Sequence, residues 1–207
     1  MRLIRDRVQI AVATRYATHK RSSSNVLKLY PESGRALFFK EIAMEHGRFY
    51  FLVDEYFTKF NDANLMNNRE MVGGIFHDRP SFYAYYDEKS KIFWLVPISS
   101  KLEKFKNLYD HKIEKYGRCD TIVFGNVLGH EKAFLIQNMS PVIPKYIKNQ
   151  YIERETENPV KIDGMLEREL QKKVKRVLSL IRQGKKLVFP DVLEMERILI
   201  EELKNNI

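Results

Sequence analysis

Apolar residues recur along this chain in two rhythms, and the switches between them mark out its elements. Residues 48–53, Arg-Phe-Tyr-Phe-Leu-Val, predict a strand. Asp54 is then placed to cap a short helix over 55–60. Residues 61–74 are polar, with Asn67-Asn68 and Gly73-Gly74, and read as a loop. Two apolar runs follow, at 81–86 and 92–98, separated by the turn-like Asp87-Glu88-Lys89-Ser90; they predict a hairpin. The rhythm then changes to threes and fours. Leu102, Phe105, Tyr109, Ile113 and Tyr116 share one face of a helix. Residues 121–124 and 133–137 predict two more strands, joined through Gly129-His130. Pro141 and Pro144 bracket a turn before a short element at 145–150. Two helices close the chain. One buries Leu166, Leu170, Val174, Val177, Leu178 and Ile181 and ends at Gly184; the other places Val192, Met195, Leu199 and Leu203 inward. Short strands with interspersed helices predict an α+β fold: a small, strongly curved antiparallel sheet or barrel with added helices, two of them C-terminal. Crossover spacing for a parallel sheet is missing, as are glycine-rich nucleotide-binding motifs.

Composition narrows the class. Of 207 residues, 44% are hydrophobic and 30% charged, as in globular chains. No apolar run approaches the roughly 20 residues of a membrane span, and the first residues are too polar for a secretory leader. A lone cysteine, Cys119, rules out an internal disulfide and a thiolate zinc cluster. A cytoplasmic protein without cofactor or membrane partner is expected. The formal charge of +9 suggests a polyanionic partner, with nucleic acid first. That charge is uneven: residues 1–43 carry nine Lys/Arg against three Asp/Glu, the remainder 27 against 24. Residues 1–43 therefore form a separate zone, containing His19-Lys20-Arg21-Ser22-Ser23-Ser24-Asn25. They read as a flexible basic arm or as residues outside the functional protein, with the domain proper spanning 44–207.

The candidate chemistry sits where the second apolar run meets the basic helix. Ser99 and Ser100 arrive at a helix N-terminus, where free N–H groups and the helix dipole favour an anion. Lys101, Lys104, Lys112 and Lys115 lie within about an 80° arc of that helix. A phosphate fits such a place. Ser100-Lys101-Leu102-Glu103 also reads as a capping box, which would make Ser100 a cap. The histidines are scattered, and only His77, close to Arg79, invites a role. No cluster of carboxylates or histidines suggests a metal. RNA cleavage without one needs no protein nucleophile, because the neighbouring 2′-hydroxyl attacks the phosphate. The protein must hold the backbone and stabilise the added charge. Arg79, Ser99, Ser100, Lys101 and Lys104, with a tyrosine nearby, are groups of that kind. Tyr83, Tyr85, Phe93 and Trp94 could stack on bases, or fill the core.

Read in order, several segments resemble the toxins of type III toxin–antitoxin systems, the ToxN/AbiQ group, and most of all its CptN branch. They are Gly47-Arg48-Phe49-Tyr50, Val53-Asp54-Glu55-Tyr56-Phe57, Arg79-Pro80-Ser81-Phe82-Tyr83, Trp94-Leu95-Val96-Pro97-Ile98-Ser99-Ser100-Lys101 and Phe134-Leu135-Ile136-Gln137-Asn138-Met139-Ser140-Pro141-Val142. The resemblance spans about 44–205. It implies a MazF/PemK-like barrel and a metal-independent endoribonuclease that leaves 2′,3′-cyclic phosphate and 5′-hydroxyl ends. It also implies a repeated, pseudoknotted antitoxin RNA that the toxin processes, a closed toxin–RNA oligomer, and phage defence by abortive infection acting on cellular or phage RNA. By motif position, Tyr56, Arg79 and the Ser99-Ser100 pair match the family's catalytic groups. Lys101 joins them, with Lys104, Lys112, Lys115, Tyr50 and His77 as RNA contacts. Many members continue Ser-Pro-Lys where this chain has Ser100-Lys101-Leu102-Glu103-Lys104, so either Lys101 or Lys104 could stand for the family lysine. Two rival readings are a MazF-like ribonuclease with a protein antitoxin and a non-catalytic RNA-binding module.

Overall fold

The computed structural model describes residues 44–72 and 74–205, so the reading of residues 1–43 lies outside the described residues. The strands are β1 (Phe49–Leu52), β2 (Arg69–Val72), β3 (Ile75–Asp78), β4 (Ser81–Asp87), β5 (Ile92–Ser99), β6 (Ile122–Val127), β7 (His130–Leu135), β8 (Ser140–Val142) and β9 (Ile147–Gln150). The helices are α1 (Asp54–Lys59), α2 (Leu102–Tyr116), α3 (Gly164–Arg182) and α4 (Val192–Asn205). Short 3₁₀ turns occupy Ile136–Asn138 and Pro144–Tyr146.

The fold is α+β. Seven strands form one antiparallel sheet in the order β6-β7-β5-β4-β1-β9, with β8 also on β5, and β2–β3 form a separate hairpin. The sheet curls. Three strand steps, about 14 Å if flat, separate β1 from β7, yet the Phe49 and Phe134 rings lie only 6.2 Å apart. Register shifts between Tyr83 and Tyr85, and between Phe51 and Leu52, supply local bends. The barrel expectation is corrected, because among the described residues the sheet does not close: β6, β8 and β9 are its ends. The second edge of β5 is shared between two strands. Phe93, Trp94 and Leu95 pair with β8, whereas Ile98 and Ser99 pair with β7. Strands β7 and β8 follow one another along that edge, with the 3₁₀ turn Ile136–Asn138 between them.

Strand β5 is the axis of the core. From Trp94 to Ser99 every residue is buried, as its unbroken apolar run requires. Phe82 meets Phe49 at 5.2 Å and Phe134 at 5.8 Å beside it. Helix α3 packs on β4, and α4 on β8 and β5. Asp163 caps α3, its carboxylate accepting from the N–H groups of Met165 and Leu166. Gly184, at φ +87°, ends that helix in a Schellman motif, with Gly184 N–H donating to Ile181 and Lys185 N–H to Leu180. At its other end α3 rests against β6 so closely that a Cβ on Gly125 would stand 2.1 Å from Leu166 Cδ2. Arg182 joins three elements, donating to Asp87 at 2.9 Å and Glu196 at 2.7 Å. Glu202 of α4 gathers Lys59, Lys145 and the Tyr146 hydroxyl.

Several local expectations need correction. Asp54 lies in the first turn of α1 and does not cap it; its carboxylate accepts from Asn68 Nδ2 at 2.7 Å and Arg69 Nη2 at 2.9 Å. The polar stretch 61–74 is partly strand, since β2 pairs with β3. That hairpin has polar and exposed residues, and ion pairs from Arg69 to Asp54 and Asp78 hold its base. Gln137 falls in a 3₁₀ turn and not in a strand. Among the described residues no helix is long and apolar enough to cross a membrane.

Candidate functional site

Where β5 runs into α2, the two serines play parts different from those the capping box assigned. The position before the helix belongs to Lys101, and no side chain caps it. Ser99 is buried at 2% exposure, and its hydroxyl accepts from Lys101 N–H at 3.2 Å, a short serine turn. Ser100 is exposed, and its hydroxyl accepts from Lys132 Nζ at 2.7 Å. Ser100 thus stands one residue too early for a capping box. Lys132 was not foreseen, because it reaches Ser100 across the sheet from β7, next to the Ser99–Ala133 register pair. Accepting from an ammonium leaves the Ser100 O–H free to donate. A hydroxyl and a cation therefore meet at a surface point on the rim of the sheet.

The lysine row of α2 divides. Lys101, Lys104 and Lys115 are exposed, Lys104 over the Phe105 ring and Lys115 over the Tyr116 ring. Lys112 turns inward as a structural group, donating to Thr121 Oγ1 and Gln137 Oε1 at 2.7 Å each, and burial lowers its pKa. Expected as an RNA contact, Lys112 is thus the member of the row whose ammonium is placed against Thr121 and Gln137. Lys115 lies fourteen residues from Lys101, about 21 Å along the helix. The apolar stripe likewise fades, leaving Tyr116 65% exposed.

A small cavity lies beside the same end of β5, lined by Asn68, Arg79, Ser81, Pro97, Asn138 and Ser140 among others. Arg79 organises it. Its Nε donates to the Asn67 carbonyl at 3.2 Å and its Nη1 to the Ile98 carbonyl at 3.0 Å, with Glu70 Oε2 at 3.4 Å. The guanidinium is only 9% exposed, and burial lowers its pKa while Glu70 opposes that shift. Arg79 thus ties the β2–β3 hairpin to the carbonyl just before Ser99. Asn68 donates through Nδ2 to Leu52 O and Asp54, and its Oδ1 is buried with no hydrogen-bond partner.

Two tyrosines lie in the core. Tyr56 is fully buried, its hydroxyl donates to Pro141 O at 2.6 Å, and burial raises its pKa strongly. Tyr50 is 1% exposed, with its hydroxyl on the backbone of Glu45. Tyr56 is expected in catalysis and Tyr50 as an RNA contact; the structure places both rings in the core with their hydroxyls hydrogen-bonded to backbone. His77 is exposed on β3, opposite Glu70. Of the rings expected to stack on bases or fill the core, Trp94 and Tyr83 are buried, whereas Phe76, on the unforeseen hairpin, is 64% exposed.

Ser99, Ser100 and Arg79 therefore meet around the end of β5, with Lys101 next in the chain and Lys132 added. Among the described residues no three His, Cys, Asp or Glu side chains gather as a metal ion would require. No protein-family model matches this chain, and no curated protein is significantly similar to it.

Proposed function

We propose that this chain is an endoribonuclease that cleaves single-stranded RNA without a metal, the toxin of a type III system held in check by a repeated antitoxin RNA. The Ser100–Lys132 pair carries the reading. In the proposed reaction the RNA 2′-hydroxyl gives its proton to water as its oxygen bonds to phosphorus, and the bond to the 5′-oxygen breaks, that oxygen taking a proton from water to leave as a 5′-hydroxyl. Negative charge builds on the two non-bridging oxygens as the phosphorus becomes five-coordinate. A hydroxyl whose lone pair is occupied by an ammonium is a donor aimed outward, and the ammonium adds positive charge to the same spot. Lys101, the next residue and exposed, supplies a second cation. Arg79 acts as a positioning residue, because two of its N–H groups are committed to backbone carbonyls. The MazF/PemK-like kinship, the closed toxin–RNA assembly and cytoplasmic action on cellular or phage RNA belong to the same proposal.

The test is incubation of the purified protein with single-stranded RNA in EDTA. Cleavage with 2′,3′-cyclic phosphate and 5′-hydroxyl ends is expected. Ser100→Ala should slow it about 10²–10³-fold, as when one charge-stabilising donor is lost. Its melting curve should stay where it was, because Ser100 is exposed and caps nothing. Strict dependence on added Mg²⁺ or Mn²⁺, or full activity of Ser100→Ala, would refute the reading.

A further inference from the structure

The positive charge of residues 44–205 is concentrated in one place. Those residues carry 27 Lys/Arg against 24 Asp/Glu, whereas 164–186 alone carry eight against two. Outside that segment the balance is negative. Arg168, Lys172, Lys175, Ser179 and Arg182 follow one another within about an 80° arc of α3, a row about 21 Å long. Lys185 and Lys186 follow in the chain just past the helix end. Among the described residues, Arg168, Lys172, Lys175, Lys185 and Lys186 have no ion-pair partner, although surplus carboxylates are exposed elsewhere on the protein. Beside the row, Tyr85, Lys175, Leu178, Ser179, Arg182 and Gln183 line an open trough of about 320 Å³. Tyr85 forms its aromatic floor, with Lys175 Nζ 5.0 Å from the ring centroid. Arg182 is fixed at one end by Asp87 and Glu196.

We infer that this face of α3 is a second RNA-binding surface, separate from the cleavage site. It takes the phosphates of a single strand along the row and one unstacked base on Tyr85. The inference deepens the proposed function and rests on it for the choice of RNA. Phosphates match a line of unpaired cations, and an aromatic flanked by cations suits a base of any identity. An anionic membrane suits the face less well. A helix lying on lipid needs an exposed apolar side, and the apolar side of α3, Leu170, Val174, Val177, Leu178 and Ile181, is buried in the protein.

The experiment uses the full chain and its Lys172→Gln/Lys175→Gln variant, with labelled single-stranded RNAs of about 8 and about 30 nucleotides that share one cleavable sequence. Binding is measured in Ser100→Ala backgrounds across a salt series, and cleavage in Ser100 backgrounds. Loss of two phosphate contacts should lower the salt slope for the long RNA by about 1.4 and weaken its binding about tenfold or more at low salt. Cleavage of the short RNA should be unchanged. An unchanged long-RNA slope and affinity in the folded variant would overturn the inference. So would equal loss of short- and long-RNA cleavage, which would place the row within the cleavage site. Phosphatidylglycerol vesicles or polyglutamate displacing the long RNA at equal charge concentration would also overturn it. If neither RNA is cleaved but the slope still falls in the variant, the nuclease reading fails and the second surface stands.

Discussion

Replacing Arg79 with alanine tests whether its guanidinium is a brace or a free catalytic cation. A cation that only faced substrate would leave the fold intact when removed. The structure argues otherwise. Arg79→Ala leaves the Asn67 and Ile98 carbonyls without their donors and Glu70, 13% exposed, without its counter-charge. Hydrogen bonds from a charged donor are worth roughly 1.5–3 kcal/mol each, and breaking a buried pair costs about 3–5 kcal/mol. Since these penalties overlap, a total loss of about 3–5 kcal/mol follows, or roughly 6–20 °C in Tm for a domain of this size. Urea and thermal melts of the wild type, Arg79→Ala, Glu70→Ala and the double variant would measure it. Glu70→Ala should cost less than Arg79→Ala, because the carbonyls keep their donor. The double variant should cost scarcely more than Arg79→Ala, since no buried carboxylate is then stranded. A melting curve for Arg79→Ala within 2 °C of wild type, as a rough threshold, would show that the brace carries no weight.

Burial and the lysine and tyrosine donors around Glu202 leave its pKa pulled down to about 2 from its ordinary 4.5, the donors outweighing burial. Its contribution, about 2–3 kcal/mol, should be complete above pH 4.5 and vanish as the pH falls through about 2. Glu202→Gln should flatten the acid limb of a stability-versus-pH curve, and an unaltered limb would disprove the assignment. Tyr56→Phe should cost about 1–3 kcal/mol by stranding the Pro141 carbonyl, while cleavage per folded molecule holds. A large loss of turnover in a folded Tyr56→Phe protein would restore the tyrosine to the reaction. Ser99→Ala should lose about 1 kcal/mol and Ser100→Ala almost none, because only Ser99 binds a backbone N–H at the helix start. The reverse ranking in thermal melts would favour the capping box.

The parts of the fold that pattern could reveal are those where local signals agree. The β4–β5 hairpin combines an apolar run, a turn and a second apolar run, and α3 has both a cap at Asp163 and a stop at Gly184. The β2–β3 hairpin was hidden because its exposed strands have no buried face to impose alternation, and ion pairs hold its base. Ser-Ser-Lys-Leu-Glu permits a turn from either serine, and which hydroxyl meets the backbone depends on where β5 ends. Tyr50 and Tyr56 look alike to a motif whether they meet substrate or core; burial decides between those roles. Lys132 could be found only from the register of β7 on β5, a long-range property.

The contact between Gly125 and Leu166 bears on how such a sequence can drift. With Leu166 Cδ2 only 2.1 Å from where a Cβ would stand, alanine at position 125 requires the Leu166 side chain to turn aside or to be shorter. Shortening Leu166 opens room there, at the cost of a cavity that alanine at 125 can then partly fill. The two positions are thus coupled: a side chain gained at 125 is accommodated by what Leu166 does, either a turn of its side chain or its replacement by a smaller residue.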